Sequence, residues 1–256
     1  MQVEFETQES YILNGRVIIT QPVHGFRASL DTVFLSAAVN HSLLTENARI
    51  LDLGCGVGSA GLCLLKRLVD RHDITLTGID IQRDLITLAQ KNAELNNVAT
   101  QCRFFEGNIT DKKIGLADNY FDLVISNPPY QEEGQQTPSP NHIKAIAHGH
   151  QAISATWADW VYCANRKCKP GGYFIVIHRA DRIHDILAKL SPWFGSIVII
   201  PLWPKKNEPA KRFIFIARKQ RFAPSILTQG HLLHYEDGRH TTETTAILNG
   251  ERPLII

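Results

Sequence analysis

Long apolar runs are missing from this sequence of 256 residues. The longest ones, such as "GYFIVIH" and "SIVIIPLW", are far shorter than the roughly 20 residues that a membrane-spanning helix needs, so no transmembrane segment is predicted. The first ten residues, "MQVEFETQES", are acidic and polar, and so lack the basic and then apolar pattern of a secretion signal. We therefore expect a cytoplasmic protein.

Cysteine is scarce, and the charges nearly balance. The five cysteines include no CxxC pair, which argues against a disulfide framework or a zinc site and predicts small core or helix residues. The formal net charge of +2 neither demands nor excludes a nucleic-acid partner. With 44% hydrophobic and 20% charged residues, the composition is globular, and the length suffices for one large core.

Short β-rich runs alternate with helical patterns from Ala48 onward. This alternation is typical of a parallel sheet covered by helices on both faces. We predict seven strands, over "ARILDLG", "ITLTGIDI", "CRFFEGN", "FDLVISN", "GGYFIVIHR", "GSIVIIPLW" and "RFIFIARK". One helix is predicted to begin near Leu30, and four more are predicted at about 58 to 69, 83 to 95, 155 to 168 and 181 to 190.

The last two predicted strands are joined only by "PKKNEPA", which leaves no room for a crossover helix. They should pair as an antiparallel hairpin. The fold class is therefore α/β: a Rossmann-like, doubly wound, seven-stranded sheet, mostly parallel with a C-terminal antiparallel hairpin. We expect a single domain over 1–256, with an N-terminal extension at 1–47, a C-terminal tail at 222–256 and a flexible lid at 131–140.

A glycine-rich segment, "LDLGCGVGSAG" (51–61), ends the first of these seven strands and opens a helix. Glycines there allow a tight turn and let a ligand approach the free N–H groups of the helix. The segment contains GxGxxG, and Asp80 lies downstream at a distance that suits ribose hydroxyls, so a dinucleotide site is one alternative. A turn that only caps the helix is another. Asp52 favours S-adenosylmethionine, because a carboxylate two residues before the first glycine can reach that cofactor's cationic amino-acid end.

The pattern D-x-G-x-G-x-G in this segment resembles the first motif of Rossmann-like methyltransferases. "GIDI" resembles their ribose clamp, and "EGNI" lies where their third strand ends, with an asparagine in place of the frequent aspartate. An amide can still contact adenine. The resemblance implies that S-adenosylmethionine is bound by Asp52, Gly54, Gly56, Gly58, Asp80, Ile81, Asn108 and Ile109.

The apolar run "FDLVIS" ends on "NPPY" (127–130), at the carboxyl end of the fourth of the seven strands, where a doubly wound sheet binds ligands. Pro128 and Pro129 have no N–H, so the carbonyls around them have no adjacent competing donor. The Asn127 side-chain oxygen and the Pro128 carbonyl can hold both N–H groups of a planar amine. Tyr130 can stack on the ring of a flipped base. The pattern favours methyl transfer to such an amine, and a proline-rich strand end with a packed tyrosine is the alternative.

The two ends of the chain carry more discriminating elements. Together with the glycine loop and NPPY, "GFRASLD" (25–31) and "HLLHYEDGRHTTETTAIL" (231–248) resemble the bacterial tRNA adenine N6-methyltransferases over nearly the whole chain. The tail departs from that family at His240, where a tyrosine is frequent. The resemblance implies that the extension closes over the cofactor through Phe26, Arg27 and Asp31, and that Asn127, Pro128 and Tyr130 grip the adenine.

Basic residues are concentrated in "PKKNEPAKRFIFIARKQR" (204–221). We predict an RNA-binding surface at Lys205, Lys206, Lys211 and Arg212, with a solvated hairpin as the alternative. The histidines of "NHIKAIAHGH" (141–150) are more typical of a solvated loop than of a metal site, and no metal is expected.

The leading hypothesis is N6-methylation of an unstacked adenine in tRNA, next to the anticodon, by a monomer or weak dimer. Related Asn-Pro-Pro sites methylate adenine or guanine of ribosomal RNA, adenine of DNA, or a glutamine of a release factor. The release-factor enzymes usually carry a helical amino-terminal domain, which the 47 residues before Ala48 do not resemble, and the DNA enzymes typically need a large recognition region. A noncatalytic RNA-binding protein is the third hypothesis, and the intact NPPY motif argues against it.

Overall fold

The computed structural model describes residues 5–25, 27–129 and 155–255. Phe26, Tyr130, the predicted lid at 131–140 and the histidines of 141–150 therefore lie outside the described residues.

The described elements follow the predicted alternation. The strands are β1 (Thr7–Ile12), β2 (Val17–Pro22), β3 (Arg49–Leu53), β4 (Thr75–Asp80), β5 (Cys102–Glu106), β6 (Phe121–Ser126), β7 (Cys168–Arg179), β8 (Phe194–Trp203), β9 (Arg212–Lys219), β10 (Ile226–Leu227) and β11 (His231–Leu232). The α-helices are α1 (Leu30–Ala37), α2 (Ser59–Arg67), α3 (Arg83–Leu95), α4 (Trp157–Lys167), α5 (Ile183–Leu190) and α6 (Thr242–Leu248).

The large sheet has the strand order β10-β8-β9-β7-β6-β3-β4-β5, and β11 also pairs with β8. The pairs among β3 to β7 are parallel, whereas β9 runs antiparallel to both β7 and β8. The predicted doubly wound sheet with an antiparallel hairpin is confirmed. The predicted number of seven strands is too low, because β10 and β11 add two strands of two residues each, too short to show a periodic pattern.

Successive residues of the central strands enter two different cores. Ile50 and Leu123 pack with residues of α1, α2 and α3, whereas their neighbours Leu51 and Val124 pack with residues of α4 and α5. Because side chains alternate along a strand, the sheet is covered on both faces. This explains why β6 is buried along its entire length.

The two ends of the chain pack on this core. The side chains of Asn92 on α3 and of Asn96 directly after it hydrogen-bond the backbone of β2 at Thr20 and Ile18, which holds the β1–β2 hairpin. At the other end, α6 packs against α1, and the N–H of Leu254 donates to the Ala37 carbonyl at 2.8 Å.

The cysteines behave as the sequence predicts. All five are free thiols, and four of them are buried. Among the described helices, none is both long and apolar enough to cross a membrane.

Candidate active site

Two loops leave neighbouring strands at one point of the sheet edge. Leu53 ends β3 and pairs with Ser126, which ends β6. The hydroxyl of Ser126 donates to the Leu53 carbonyl at 2.9 Å, and Ser126 is fully buried. The glycine loop and Asn127 therefore start side by side, about 4.8 Å apart in the direction of strand pairing. Sequence reasoning predicted this meeting but missed Ser126, whose signal is a hydroxyl at the last position of an apolar strand.

The glycine loop has a left-handed backbone at its three motif glycines, with φ of 67° at Gly54, 53° at Gly56 and 80° at Gly58. A Cβ at Gly54 would lie 2.4 Å from the Trp160 ring, so close packing of α4 on the loop requires glycine there. A Cβ at Gly56 would meet nothing within 4 Å. The backbone at Gly56 therefore faces open space, where a ligand can approach the loop closely.

Asp80 ends β4 beside this loop. Its two carboxylate oxygens accept hydrogen bonds from the N–H groups of Gly56 and Gln82, each at 2.9 Å. Burial raises the pKa of Asp80, and these backbone N–H groups oppose that shift. Each carboxylate oxygen has a second acceptor site, so ribose hydroxyls can still bind. The next residue, Ile81, is 43% exposed and offers an apolar surface to a planar ring.

Asp52 lies within β3 and is only 2% exposed. Its Oδ2 accepts from the N–H of Gly61, in the first turn of α2, at 3.2 Å. Burial raises the pKa of Asp52 to about 7; the Gly61 hydrogen bond lowers it, and the negative charge of Asp80 raises it further. The carboxyl group thus joins the glycine loop to the helix behind it. Its contact with the amino-acid end of the cofactor stays a prediction.

Asn108 and Ile109 follow β5. The Asn108 Oδ1 accepts from the backbone N–H and the hydroxyl of Thr110, at 3.0 and 2.9 Å. Because the oxygen closes this local turn, the NH₂ group is the part of Asn108 that can bind an acceptor of adenine. Ile109 is half-buried and packs against the core formed with α4 and α5.

The N-terminal element meets the basic hairpin. Asp31, in the first turn of α1, accepts from the Arg212 Nε at 3.0 Å. Asp31, which is predicted to cover the cofactor, thus forms an ion pair with Arg212, which is predicted to bind RNA. Arg27 is exposed, as are Lys206 and Lys211.

Lys205 is half-buried, and its Nζ donates to the Glu236 carbonyl at 3.0 Å. The exposed part of the predicted RNA-binding surface therefore consists of Lys206 and Lys211.

His178 lies at the same edge and was missed by sequence reasoning. Val176 pairs with Ser126, so His178 lies two residues beyond that level, close to the end of β7. Its Nδ1 accepts from the N–H of Arg179 at 2.9 Å, and its ring contacts Trp157. Burial lowers the pKa of His178 to about 4, so the ring is neutral near pH 7. The signal in the sequence is a histidine at the end of an apolar run.

This fold and this edge define a class: a Rossmann-like methyltransferase, for which S-adenosylmethionine is the cofactor. The described residues fit that cofactor through the open backbone at Gly56, the acceptors of Asp80 and the exposed side chain of Ile81. A family model described as "Methyltransferase domain" matches residues 44–204. The chain belongs to this methyltransferase family.

Curated proteins similar to this chain act on different substrates. The tRNA1(Val) (adenine(37)-N6)-methyltransferase of Dickeya chrysanthemi is 29% identical over 195 residues, which cover 75% of this chain and 73% of that protein. The release factor glutamine methyltransferase of Shewanella oneidensis is 27% identical over 186 residues, which cover 70% of this chain and 59% of that protein.

Solved structures show the same fold. A predicted O-methyltransferase of Agrobacterium tumefaciens has a TM-score of 0.71 and 22% identity, with 88% of this chain and 98% of that chain covered. A 16S rRNA N2 methyltransferase of T. thermophilus in complex with AdoMet and guanosine has a TM-score of 0.57 and 17% identity, with 86% and 52% covered. At these identities the likeness concerns the fold alone.

Proposed function

We propose that this protein uses S-adenosylmethionine to methylate N6 of an unstacked adenine in tRNA, next to the anticodon. The observation that carries the proposal is the Leu53–Ser126 junction, which starts the glycine loop and Asn127 side by side at the ends of β3 and β6. The similarity to the D. chrysanthemi enzyme, named for adenine 37 of tRNA1(Val), supports the choice of substrate. The cofactor, when bound, supplies an electrophilic methyl group.

The chain's own residues act by positioning the amine. The exocyclic nitrogen of adenine is a poor nucleophile because its lone pair is delocalised into the ring. Acceptors at the Asn127 side chain and the Pro128 carbonyl hold its two N–H groups and turn the lone pair towards the methyl group, so catalysis comes from orientation and electrostatics. The methylated nitrogen is acidic and then loses one of these protons to water. His178 is neutral near pH 7 and brings no positive charge to this edge. Pro129 fixes the backbone, and Tyr130 is proposed to stack on the base.

We also propose that 1–256 is one methyltransferase domain, in which 1–47 closes over the cofactor and 222–256 supports that extension. The ion pair between Asp31 and Arg212 supports the first role, because it holds the start of α1 at the sheet edge. The packing of α6 on α1 supports the second.

Methylation of a release-factor glutamine is the second candidate. It is favoured by the similarity to the release factor glutamine methyltransferase of S. oneidensis. A glutamine amide is also planar with a delocalised lone pair, so the same acceptor pair can hold it. The exposed Lys206 and Lys211, in the loop at the same edge of the sheet, favour a polyanionic substrate.

Product analysis tests both candidates. The protein is incubated with labelled cofactor and, separately, with tRNA, ribosomal RNA, DNA and a release factor, and each labelled product is digested. We expect N6-methyladenosine from tRNA only. Methylglutamine would establish the second candidate, and methylguanine would contradict both. Cofactor binding without label in any pool would leave a noncatalytic binding protein.

A further inference from the structure

A groove opens beside the β8–β9 hairpin, at the end of β8. It has a volume of about 530 Å³ and is lined by Trp203, Lys205, Lys206, Glu208, Pro209 and Leu232, among others. That volume is within the roughly 300–1,000 Å³ of small-ligand pockets. We call it the hairpin groove. The residues proposed for cofactor binding and methyl transfer do not line it, so it is a separate site.

Trp203 is held in one orientation. Its indole N–H donates to the Gln229 carbonyl at 2.9 Å, and its backbone carbonyl accepts from the N–H of Leu233 at 2.8 Å. A Cβ at Gly230 would lie 2.7 Å from the indole nitrogen and 2.3 Å from the Pro201 carbonyl oxygen, so only glycine lets the tail pass this close. The indole is only half-buried although its one polar atom is satisfied. A fixed, partly exposed aromatic ring is a stacking surface for a planar group.

The charges of the hairpin groove suit a phosphate chain. Lys206 is exposed, and the Lys205 ammonium group, which has three donors, uses one on the Glu236 carbonyl. Glu208 is the acidic member of the lining, and the Asp237 carboxylate, which pairs with Arg239, also interacts with Lys205. With that ion pair neutral, two lysines and one glutamate leave an excess of one positive charge. The exposed Lys211 lies at the other end of the hairpin loop. An aromatic ring beside a positive path is the combination that binds single-stranded nucleic acid.

The hairpin groove faces the same edge as the proposed methyl-transfer site. Because β9 is antiparallel to both of its neighbours, β8 is parallel to β7 and β6, so β8 and β6 end at the same edge of the sheet. The register places Ser126 level with Ile199, so Trp203 lies four residues, or roughly 13 Å, beyond Ser126 along the strand direction. Three interstrand steps separate these strands, a lateral distance of roughly 14 Å. The lateral and axial offsets combine to roughly 19 Å. Stacked nucleotides advance about 3.4 Å each, so a base about six stacked nucleotides from the methylated one, or fewer where the loop is unstacked and extended, can reach the groove.

We propose that the hairpin groove binds an unstacked RNA base that flanks the methylated adenine in the same loop, with the base on the Trp203 ring and its phosphate near Lys206. The proposal rests on RNA being the substrate. It adds to the proposed function a second base-binding position, which would select the nucleotides around the target.

The test compares Trp203→Leu and Trp203→Phe with the unmodified protein. The probes are an anticodon stem-loop RNA and a series of the same RNA with one abasic loop nucleotide each, and binding is measured by fluorescence anisotropy at fixed salt. We expect Trp203→Leu to weaken binding of the intact RNA about 10-fold or more, and Trp203→Phe to retain most of the affinity. Removal of the base at one loop position should weaken RNA binding by the unmodified protein by a similar factor. The same removal should have little further effect on RNA binding by Trp203→Leu.

Trp193→Leu is the matched control. Trp193 is 44% exposed and directly precedes β8, at the opposite edge of the sheet, so its replacement by leucine should leave RNA binding unchanged. The cofactor affinity and melting temperature of each variant confirm that the fold is intact. Unchanged RNA binding by Trp203→Leu, or equal losses on all abasic probes, would overturn the proposal even if tRNA is methylated. Trp203-dependent RNA binding without any RNA methylation would instead refute the proposed function and leave the groove as a binding site.

Discussion

At Asn127, Pro128 and Pro129, the chain changes from a fully paired strand to a segment that offers acceptors. Ser126, the residue before them, is still tied to Leu53 through its backbone and its hydroxyl. Because that anchor is buried, the direction in which the chain leaves the strand is fixed before the first acceptor. Positional accuracy of this kind is what an orienting site needs.

Asn127→Ala is expected to reduce the rate of methyl transfer by about 10²-fold or more, because it removes one oriented polar group. The cofactor dissociation constant should stay unchanged. Asn127→Asp keeps an acceptor oxygen and should retain part of the activity. Single-turnover rates and calorimetric cofactor titrations measure the two effects. Turnover by Asn127→Ala equal to that of the unmodified protein would remove Asn127 from the acceptor pair.

Because the Asp52 carboxyl group is buried, we expect the free energy of unfolding to depend on pH. Because burial raises its pKa to about 7, the folded protein holds this proton more tightly than the unfolded chain. The resulting stabilisation is complete below the ordinary carboxyl pKa, near 4, and is lost as the pH rises through about 7. Asparagine stays neutral and keeps an oxygen for Gly61. We expect Asp52→Asn to increase the free energy of unfolding at pH 8 by about 2 kcal/mol or more, and much less at pH 4.

Urea denaturation without cofactor, at both pH values, measures this difference. Glu94→Gln, at an exposed position on α3, is the control. An effect of Asp52→Asn that is equal at the two pH values would contradict the assignment.

At the scale of elements, the β8–β9 hairpin connects the two ends of the chain to the site. Its second strand begins with Arg212, which pairs with Asp31 at the start of α1. Its first strand ends at Trp203, on which the tail strand β11 pairs. The hairpin thus contacts the N-terminal extension and the tail, and its loop lies at the sheet edge where the glycine loop begins.

The double variant Lys206→Glu with Lys211→Glu is expected to weaken tRNA binding. Each lost phosphate contact should reduce the slope of log affinity against log salt by about 0.7 on single-stranded RNA. Cofactor affinity should not change, because neither lysine lies among the cofactor residues. Lys91→Glu with Lys189→Glu, exposed lysines on α3 and α5, is the charge-matched control. Equal salt dependence in both double variants would place the hairpin outside the RNA interface.

At the scale of the whole molecule, the tail supports the extension. Thr241 caps α6 and accepts from the N–H of Thr244, whose hydroxyl hydrogen-bonds the His231 Nε2 at 2.9 Å. The His231 ring contacts Phe34 on α1. The His240 ring stacks on His234 at a centroid distance of 4.6 Å. The tRNA adenine N6-methyltransferases that this chain resembles often have a tyrosine at this position. The tail motif is thus accounted for by contacts within the protein.

Arg67 joins α1, α2 and the tail. Its guanidinium donates to the Ser36 hydroxyl and to the carbonyls of Ile247 and Arg252. Arg67→Met leaves these acceptors without their donor, so we expect a loss of about 2–4 kcal/mol in the free energy of unfolding. Hydrogen exchange should also accelerate across 241–254. Lys66→Met, on the same helix, is the control, and an equal small loss in both variants would show that the tail does not depend on Arg67.

The seven longer strands of the large sheet, most helices and the meeting of the glycine loop with the asparagine-proline segment were predictable from the sequence. These features depend on local periodicity and on residues with fixed backbone properties, such as Gly56 and Pro128. The β1–β2 hairpin and α6 were missed because they are stabilised by distant groups, such as the side chains of Asn92 and Arg67.

Local patterns are enough to predict the class of fold and the chemistry available at one sheet edge, since alternating apolar residues and donor-free prolines act locally. The partners of the charged groups depend instead on how the elements pack in three dimensions. Asp31 and Arg212 are 181 residues apart, and their ion pair exists because α1 and β9 meet in space. Asp52 has its raised pKa because strands and helices exclude water from it on every side. Such pairings and burials depend on packing, which no local pattern encodes.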